Sequence, residues 1–295
     1  AQVRAVSLAS CVGLWSRRGV AWGRAGGPHV GGARAGPSGV ALVVRPVRLR
    51  QIWPLDAEYF QAHVGAGVTL AALQQTVRPM GLDFGVDFAA RDSATIGGMV
   101  STNAGGERVL RYGSTRQQVV GLEAVLADGS VLSRLDTLPK DNTGFDLVGL
   151  LTGSEGTLAV ITGVRVRLWP LFTHRSVALL ALDSAGEALA ILAALRSRLP
   201  SLEAAELFLA SGLALVMRHT GLPAPIPGDH PAYLLVECAD RVDPGEAMLE
   251  ALEEVSELVP GVSDIVMGED ARGRAGLWRY REAHTESINA FGVPV

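Results

Sequence analysis

The densest run of chemistry-bearing residues in the chain is Asp92-Ser93-Ala94-Thr95-Ile96-Gly97-Gly98-Met99-Val100-Ser101-Thr102-Asn103-Ala104-Gly105-Gly106. Its two Gly-Gly pairs sit eight residues apart. Consecutive glycines leave backbone N–H groups uncovered and let them converge on an anion. Ser93, Thr95, Thr102 and Asn103 add side-chain donors, and a diphosphate is the natural guest of such a surface. The run is no Walker A loop, because no Gly-Lys-Ser/Thr follows, and its glycine spacing is not the dinucleotide fingerprint. The competing reading is a pair of tight turns. A second cluster, Gly153-Ser154-Glu155-Gly156-Thr157, ends one apolar stretch and opens another. There the backbone of Val160 and Ile161 can offer strand-edge hydrogen bonds to a planar ring. A third, Gly23 to Gly32, reads equally well as a phosphate loop or a linker.

Five motifs follow one another: Thr95-Ile96-Gly97-Gly98, Thr102-Asn103-Ala104-Gly105-Gly106, Arg111-Tyr112-Gly113, Leu126-Ala127-Asp128-Gly129 and Gly153-Ser154-Glu155-Gly156-Thr157-Leu158. In this order and spacing they resemble the FAD-binding domain of the vanillyl-alcohol-oxidase/p-cresol-methylhydroxylase (PCMH-type) superfamily. The nearest resemblance is to the branch holding the glycolate oxidase D subunit and the D-lactate and D-2-hydroxyglutarate dehydrogenases. It covers most of residues 40–295 and is most specific over 64–170. The resemblance implies a diphosphate held by Gly26, Gly27, Thr95, Gly97 and Gly98. Asp92, Ser93, Asn103, Gly105 and Gly106 fall at positions that line FAD. Gly156, Val160 and Ile161 fall in the stretch whose backbone touches it. Near the end, Trp278-Arg279-Tyr280-Arg281-Glu282-Ala283-His284-Thr285 is similar to a Trp-x-x-Arg-Glu-x-x-Thr pattern. In that pattern the arginine pairs with the substrate carboxylate and the threonine assists. Arg281 and Thr285 are thus the substrate-binding expectation, on one helical face. The competing reading for Arg281 is a surface ion pair with Glu282 or Glu286.

The implied reaction is FAD-dependent oxidation of a D-2-hydroxy acid to the 2-keto acid. A base takes the hydroxyl proton while hydride moves to the flavin, and the cofactor supplies the redox chemistry. The implied partners are the small 2-hydroxy acid and an electron acceptor: a quinone, a cytochrome or an electron-transfer flavoprotein. A homodimer is left open as the assembly. The sequence departs from the pattern in three places. Its first part holds only some of the leading strand–helix–strand. Pro28 and His29 stand near an expected Thr-Gly, and proline removes a donor. The lysine, the His-rich segment with its base, and the closing strand and helix are expected beyond Val295. The alternative is therefore a non-catalytic FAD-binding fragment or subunit that needs a partner or that missing segment. His284 is not assigned as the base, and no histidine has metal-ligand spacing.

These residues need elements to hold them. Of the 35 glycines, most fall before residue 171, so the first part needs many turns and close approaches. Thr69 caps a helix striped by Leu70, Leu73 and Val77 and stopped by Gly81. Val119 to Leu126, the Asp128-Gly129 turn and Val131-Leu132 read as a hairpin. Leu168 to Phe172 is the boundary between an FAD-binding domain (1–171) and a partial substrate or cap domain (172–295). The second part reads β-α-β-(α)-β-α-β, with helices over 185–199 (Leu189, Leu192, Leu195 and Leu199 buried), from Asp243 (Met248, Leu249, Leu252 and Val255 buried) and over 277–290. The fold class expected is α+β: a two-subdomain PCMH-type FAD domain followed by a ferredoxin-like cap, incomplete at its C-terminus. A net charge of −4 argues against a nucleic-acid partner. No run reaches the ~18 apolar residues of a membrane span. Cys11 and Cys238 form no disulfide framework, which points to a reducing cytoplasmic compartment, with attachment at the inner membrane left open.

Overall fold

The structure is a computed structural model in which residues 22–24, 42–44, 48–56, 58–135 and 143–292 are described. Gly26, Gly27 and the rest of the first glycine cluster beyond Arg24 lie outside these residues. The chain divides into two compact units, Ala1–Leu171 and Phe172–Val295.

In the first unit, β1 (Trp22–Arg24) pairs in parallel with β2 (Leu42–Val44). Then follow β3 (Gln61–Gly65), α1 (Leu70–Val77), a 3-10 turn (Arg78–Met80) and β4 (Leu82–Asp83). Thr69 caps α1 by accepting the Ala72 N–H at 3.2 Å, and Gly81 ends the turn at φ 73°. Short helices come next: α2 (Ile96–Thr102), α3 (Val109–Tyr112) and α4 (Thr115–Gln118). They lead into the hairpin β5 (Val119–Leu126) and β6 (Val131–Arg134), then α5 (Leu147–Leu151), β7 (Ala159–Arg167) and β8 (Trp169–Pro170). The main sheet runs β3-β7-β5-β6, antiparallel throughout. Its core gathers Val64, Leu73, Phe84, Ile96, Val100, Leu122, Ile161 and Val164. Thus α1 and α2 cover the sheet with the residues that their spacing places on one face.

The second unit is a four-stranded antiparallel sheet of β9 (His174–Leu182), β10 (Leu202–Leu209), β11 (Ala232–Asp240) and β12 (Val262–Met267). The spatial order is β10-β11-β9-β12, all antiparallel, which is the ferredoxin-like arrangement. Cys238 lies in the central strand β11 and is fully buried. Helices α6 (Ala188–Arg198) and α8 (Gly245–Leu258) pack on each other. A separate cluster joins the sheet residues Val177, Leu179, Phe208, Tyr233 and Leu235 to α7 (Ala210–Thr220) and α9 (Ala271–Glu282). The closing helix is α10 (His284–Phe291), which packs on α7.

Three details depart from the expectation. Leu189 and Leu249 are exposed (76% and 47%), because α6 and α8 turn Ile191, Leu195, Met248, Leu252 and Val255 inward instead. Asp243 stands one residue before the cap of α8 and accepts the Gly245 N–H at 2.9 Å. The helix expected over 277–290 begins at Ala271 and breaks at Ala283, where ψ moves to −7°. Arg281 and Thr285 therefore sit on two consecutive helices, not on one face of a single helix.

Candidate functional site

Helix α2 is the hub of the first unit's glycine-bearing segments. At its start, Thr95 caps the helix by accepting the Gly98 N–H (3.2 Å). Ile96 N–H donates to the Val68 carbonyl (2.8 Å) and Gly97 N–H to the Ala66 carbonyl (2.9 Å). A Cβ on Gly97 would stand 2.5 Å from the Ala66 Cβ, so only glycine lets the helix lie against this loop. At its other end the Gly153 N–H donates to the Val100 carbonyl (2.9 Å) and the Glu155 N–H to the Ser101 carbonyl (2.7 Å). Segments 65–69, 95–106 and 153–157 thus meet on two turns of helix. Glu155 holds a left-handed backbone (φ 51°), which costs on the order of 1 kcal/mol and tends to persist at functional loops.

The amides of Gly97 and Gly98 are engaged within the chain. What Gly97 offers is close approach. Gly105 and Gly106 differ, because their N–H groups have no partner among the described residues. A Cβ on Gly106 would lie 2.3 Å from the Asp87 carbonyl oxygen, and the neighbouring Glu107 N–H donates to that same oxygen (3.0 Å). Asn103, in the left-handed region at φ 49°, accepts from the Ser114 hydroxyl and the Arg116 N–H, both at 2.9 Å. It ties the end of α2 to the loop that follows. The Ser101 hydroxyl is buried without a hydrogen-bond partner, which is unusual for a polar atom. Asp92 and Ser93 are exposed, and Ser93 donates to the Ala90 carbonyl (3.2 Å). Strand β7 runs past the end of β3: β3 covers Gly163–Arg167 and Ala66 N–H takes the Thr162 carbonyl. Among the described residues Ala159, Val160 and Ile161 are paired by β5 alone, so one side of their backbone has no strand partner there.

Beneath this region two buried carboxylates face three guanidinium groups. Asp83 pairs with Arg78 and Arg108, both at 3.2 Å. Asp87 pairs with Arg91 (3.2 Å), Arg108 (3.3 Å) and Arg78 (3.8 Å). The network pins β4, through Asp83, and the loop that carries Asp87, and with it the carbonyl that meets Gly106. The sequence reading missed this cluster, although acidic residues four apart before a glycine-rich run were a visible signal.

In the second unit, Arg281 and Trp278 project from α9 onto acidic residues of the sheet. The Arg281 Nε–H donates to Glu206 Oε2 at 2.6 Å, and the Trp278 Nε1–H donates to Glu237 Oε2 at 2.6 Å. Arg175 pairs with both Glu203 and Glu237. Neither Glu282 nor Glu286 pairs with Arg281. Its Nη1 and Nη2 have no partner among the described residues. Thr285 is exposed on the first turn of α10. The Nδ1 of His284 meets the Tyr280 carbonyl at 2.7 Å, and its Nε2 is buried without a partner. Burial holds its pKa below the ordinary 6.5, against the Tyr280 carbonyl, which raises it, while Arg281 adds to the lowering. The ring is neutral at pH 7 and turned inward, so it is not poised to take a proton from a ligand. Glu206 had one signal in the sequence: an acid inside the apolar run Leu202–Leu209.

Comparison with known proteins follows the two units. The FAD binding domain family matches residues 7–134, and the family of FAD linked oxidases, C-terminal domain, matches residues 172–294. The chain thus carries an FAD binding domain followed by the C-terminal domain of FAD linked oxidases, and these indicate FAD as the cofactor. It is similar to D-2-hydroxyglutarate dehydrogenases. It is 39% identical over 263 residues to that of Xanthomonas citri pv. viticola, which covers 87% of this chain and 55% of the relative. It is 44% identical over 232 residues to the mitochondrial one of Bos taurus, covering 77% and 42%. The chain thus spans about half the length of the curated relatives it matches. The solved structure of alkyldihydroxyacetonephosphate synthase superposes with a TM-score of 0.69 at 16% identity, covering 97% of this chain and 57% of that one, which is a likeness of fold. The glycine cradle fits the cofactor: among the described residues the amides of Gly105 and Gly106, the buried Ser101 hydroxyl and one side of β7 over 159–161 have no partner.

Proposed function

We propose that the chain binds FAD in its first unit and a D-2-hydroxy acid in its second, as part of an FAD-dependent dehydrogenase that forms the 2-keto acid. The observation that carries the cofactor reading is the convergence of three glycine-bearing segments on α2. Bound flavin would supply the hydride acceptor. Gly105 and Gly106 present N–H groups to its diphosphate, joined by the first glycine loop through Gly26 and Gly27. Thr95 and Gly97 fix the helix, and Asp92, Ser93 and Asn103 line the rim. The backbone of Gly156, Val160 and Ile161 meets the ring along that side of β7. Arg281 receives the carboxylate through its two η nitrogens, a strong and geometry-selecting contact, and Thr285 lies on the next turn.

Similarity to D-2-hydroxyglutarate dehydrogenases supports a D-2-hydroxy acid of the lactate, glycolate or 2-hydroxyglutarate type. A second reading is a flavin-binding subunit whose proton-accepting base comes from elsewhere. It is favoured by His284, whose Nε2 is buried and closed to a ligand. The visible spectrum of the purified chain tests both readings. Flavin absorbance that bleaches when D-2-hydroxyglutarate, D-lactate or glycolate is added supports the first. Flavin uptake without bleaching by any of the three supports the second. A folded chain that takes up no FAD overturns both.

A further inference from the structure

We propose that Glu206 is a positioning residue for Arg281: it holds the guanidinium by its Nε edge and turns the Nη1/Nη2 edge toward the carboxylate of the ligand. The inference rests on the assignment of Arg281 above and adds a second residue to it. Arginine has four rotatable side-chain bonds, and a free one loses much of its rotamer freedom on binding. Here part of that freedom is already gone. Glu206 lies on β10, an internally paired edge strand whose register with β11 places it opposite Leu235. Its Oε2 takes the Arg281 Nε–H at 2.6 Å. Both side chains are only partly exposed, Arg281 at 34% and Glu206 at 19%. A charge-assisted bond in such surroundings is shorter and stronger than one in open water.

The hydrogen-bonding pattern is selective. A carboxylate that fully engaged Arg281 would make two parallel bonds, side-on to an Nε/Nη pair or end-on to the Nη1/Nη2 pair. Glu206 makes one bond, to Nε, and the guanidinium has no other hydrogen bond or ion pair among the described residues. The edge that remains is the one suited to a second carboxylate. One turn earlier on α9, the Trp278 indole is fixed in the same way by Glu237 on β11. Two side chains three residues apart on α9 are thus anchored to two strands, which locks the rotation of the helix about its axis. His284, at the break between the helices and neutral at pH 7, stands within electrostatic reach of both Arg281 and Glu206. The arrangement does not require Arg281 to shed a protein partner before it takes a ligand.

The test uses the full chain and D-2-hydroxyglutarate as the probe, with affinity read by titration calorimetry. Glu206→Gln is expected to weaken binding about tenfold, roughly 1.4 kcal/mol, and Glu206→Asp to recover part of it. That rescue is the readout that a merely structural role would not move, and nitrogen-15 NMR of arginine side chains reads the bond itself. A slowly exchanging, shifted Arg281 Nε–H signal is expected in the parent chain and is expected to vanish in Glu206→Gln. Unchanged affinity in Glu206→Gln, while Arg281→Gln loses binding, overturns the positioning role and leaves Arg281 standing. Tighter binding in Glu206→Gln means that Glu206 competes with the ligand, and also overturns it. No binding by the parent chain, or full affinity in Arg281→Gln, removes the Arg281 assignment and this inference with it. If Glu206→Gln fails to fold, the Nε–H signal of the parent chain decides: a rapidly exchanging, unshifted resonance overturns the proposal.

Discussion

Single atoms decide most of what the first unit can do. Gly97 and Gly106 are needed because a Cβ at either would fall within 2.5 Å of a neighbour, a backbone oxygen in the case of Gly106. Backbone cannot swing aside as a long side chain can, so the loops must move. Gly106→Ala is therefore expected to cost about 1–3 kcal/mol by overpacking and to weaken FAD binding, measured by flavin fluorescence quenching. Unchanged FAD affinity and an unchanged melting temperature would refute that account. His284 makes a different prediction. Its folded pKa lies below 6.5 because burial disfavours the charged ring, so the unfolded chain binds the extra proton first. Stability is complete above 6.5 and is lost as the pH falls through 6.5 toward the folded value. Melting temperatures between pH 7.5 and 5 should fall, and His284→Gln should flatten that part of the profile. A parallel fall in the variant would assign the effect to other groups.

Elements carry the next level. The Asp83–Asp87 cluster locks α1, the strand after it and the loop to α2 into one piece, because buried carboxylates demand paired charges. Asp87 is 2% exposed and meets three arginines. Asp87→Asn takes from Arg108, itself largely buried, one of its two carboxylates and leaves it Asp83, and is expected to destabilise the chain by about 1–3 kcal/mol. Chemical denaturation checks this: a loss under 1 kcal/mol would mean that Asp83 alone suffices. Much of this level was legible in the sequence. Thr69, Gly81 and the Asp128-Gly129 turn work through neighbours a few residues away, so the string of letters contains the interaction. The inward faces of α6 and α8 were not, because Leu189 and Leu249 are as apolar as the residues that won the core. Only the position of the sheet chooses among them. The partner of Arg281 was also hidden. Glu206 lies 75 positions away, and only the fold of β10 against α9 brings it near. Glu282 and Glu286 were adjacent in sequence and irrelevant in space.

At the scale of the molecule, each unit carries its own hydrophobic cluster around its own antiparallel sheet. The second unit's sheet is built from contiguous sequence and borrows no strand from the first. Residues 172–295 expressed alone are therefore expected to fold, with a cooperative thermal transition by circular dichroism and dispersed amide NMR signals. A broad melt with strong binding of a hydrophobic dye would show instead that the first unit is needed. The same independence explains how the two family matches fall one on each side of the boundary, with the glycine loops on one side of it and Arg281 on the other.

The burial of Cys238 in the middle strand of the second sheet gives that unit a built-in clock. With Cys11 replaced by serine, it is the one thiol left in the chain. A fully buried sulfur in a central strand reacts with an alkylating reagent only when its surroundings part. The rate of modification in native buffer then measures the opening of that sheet rather than the chemistry of the thiol. Occupancy of Arg281 by a carboxylate ligand should slow the clock only through the sheet as a whole, since α9 closes the face opposite to Cys238.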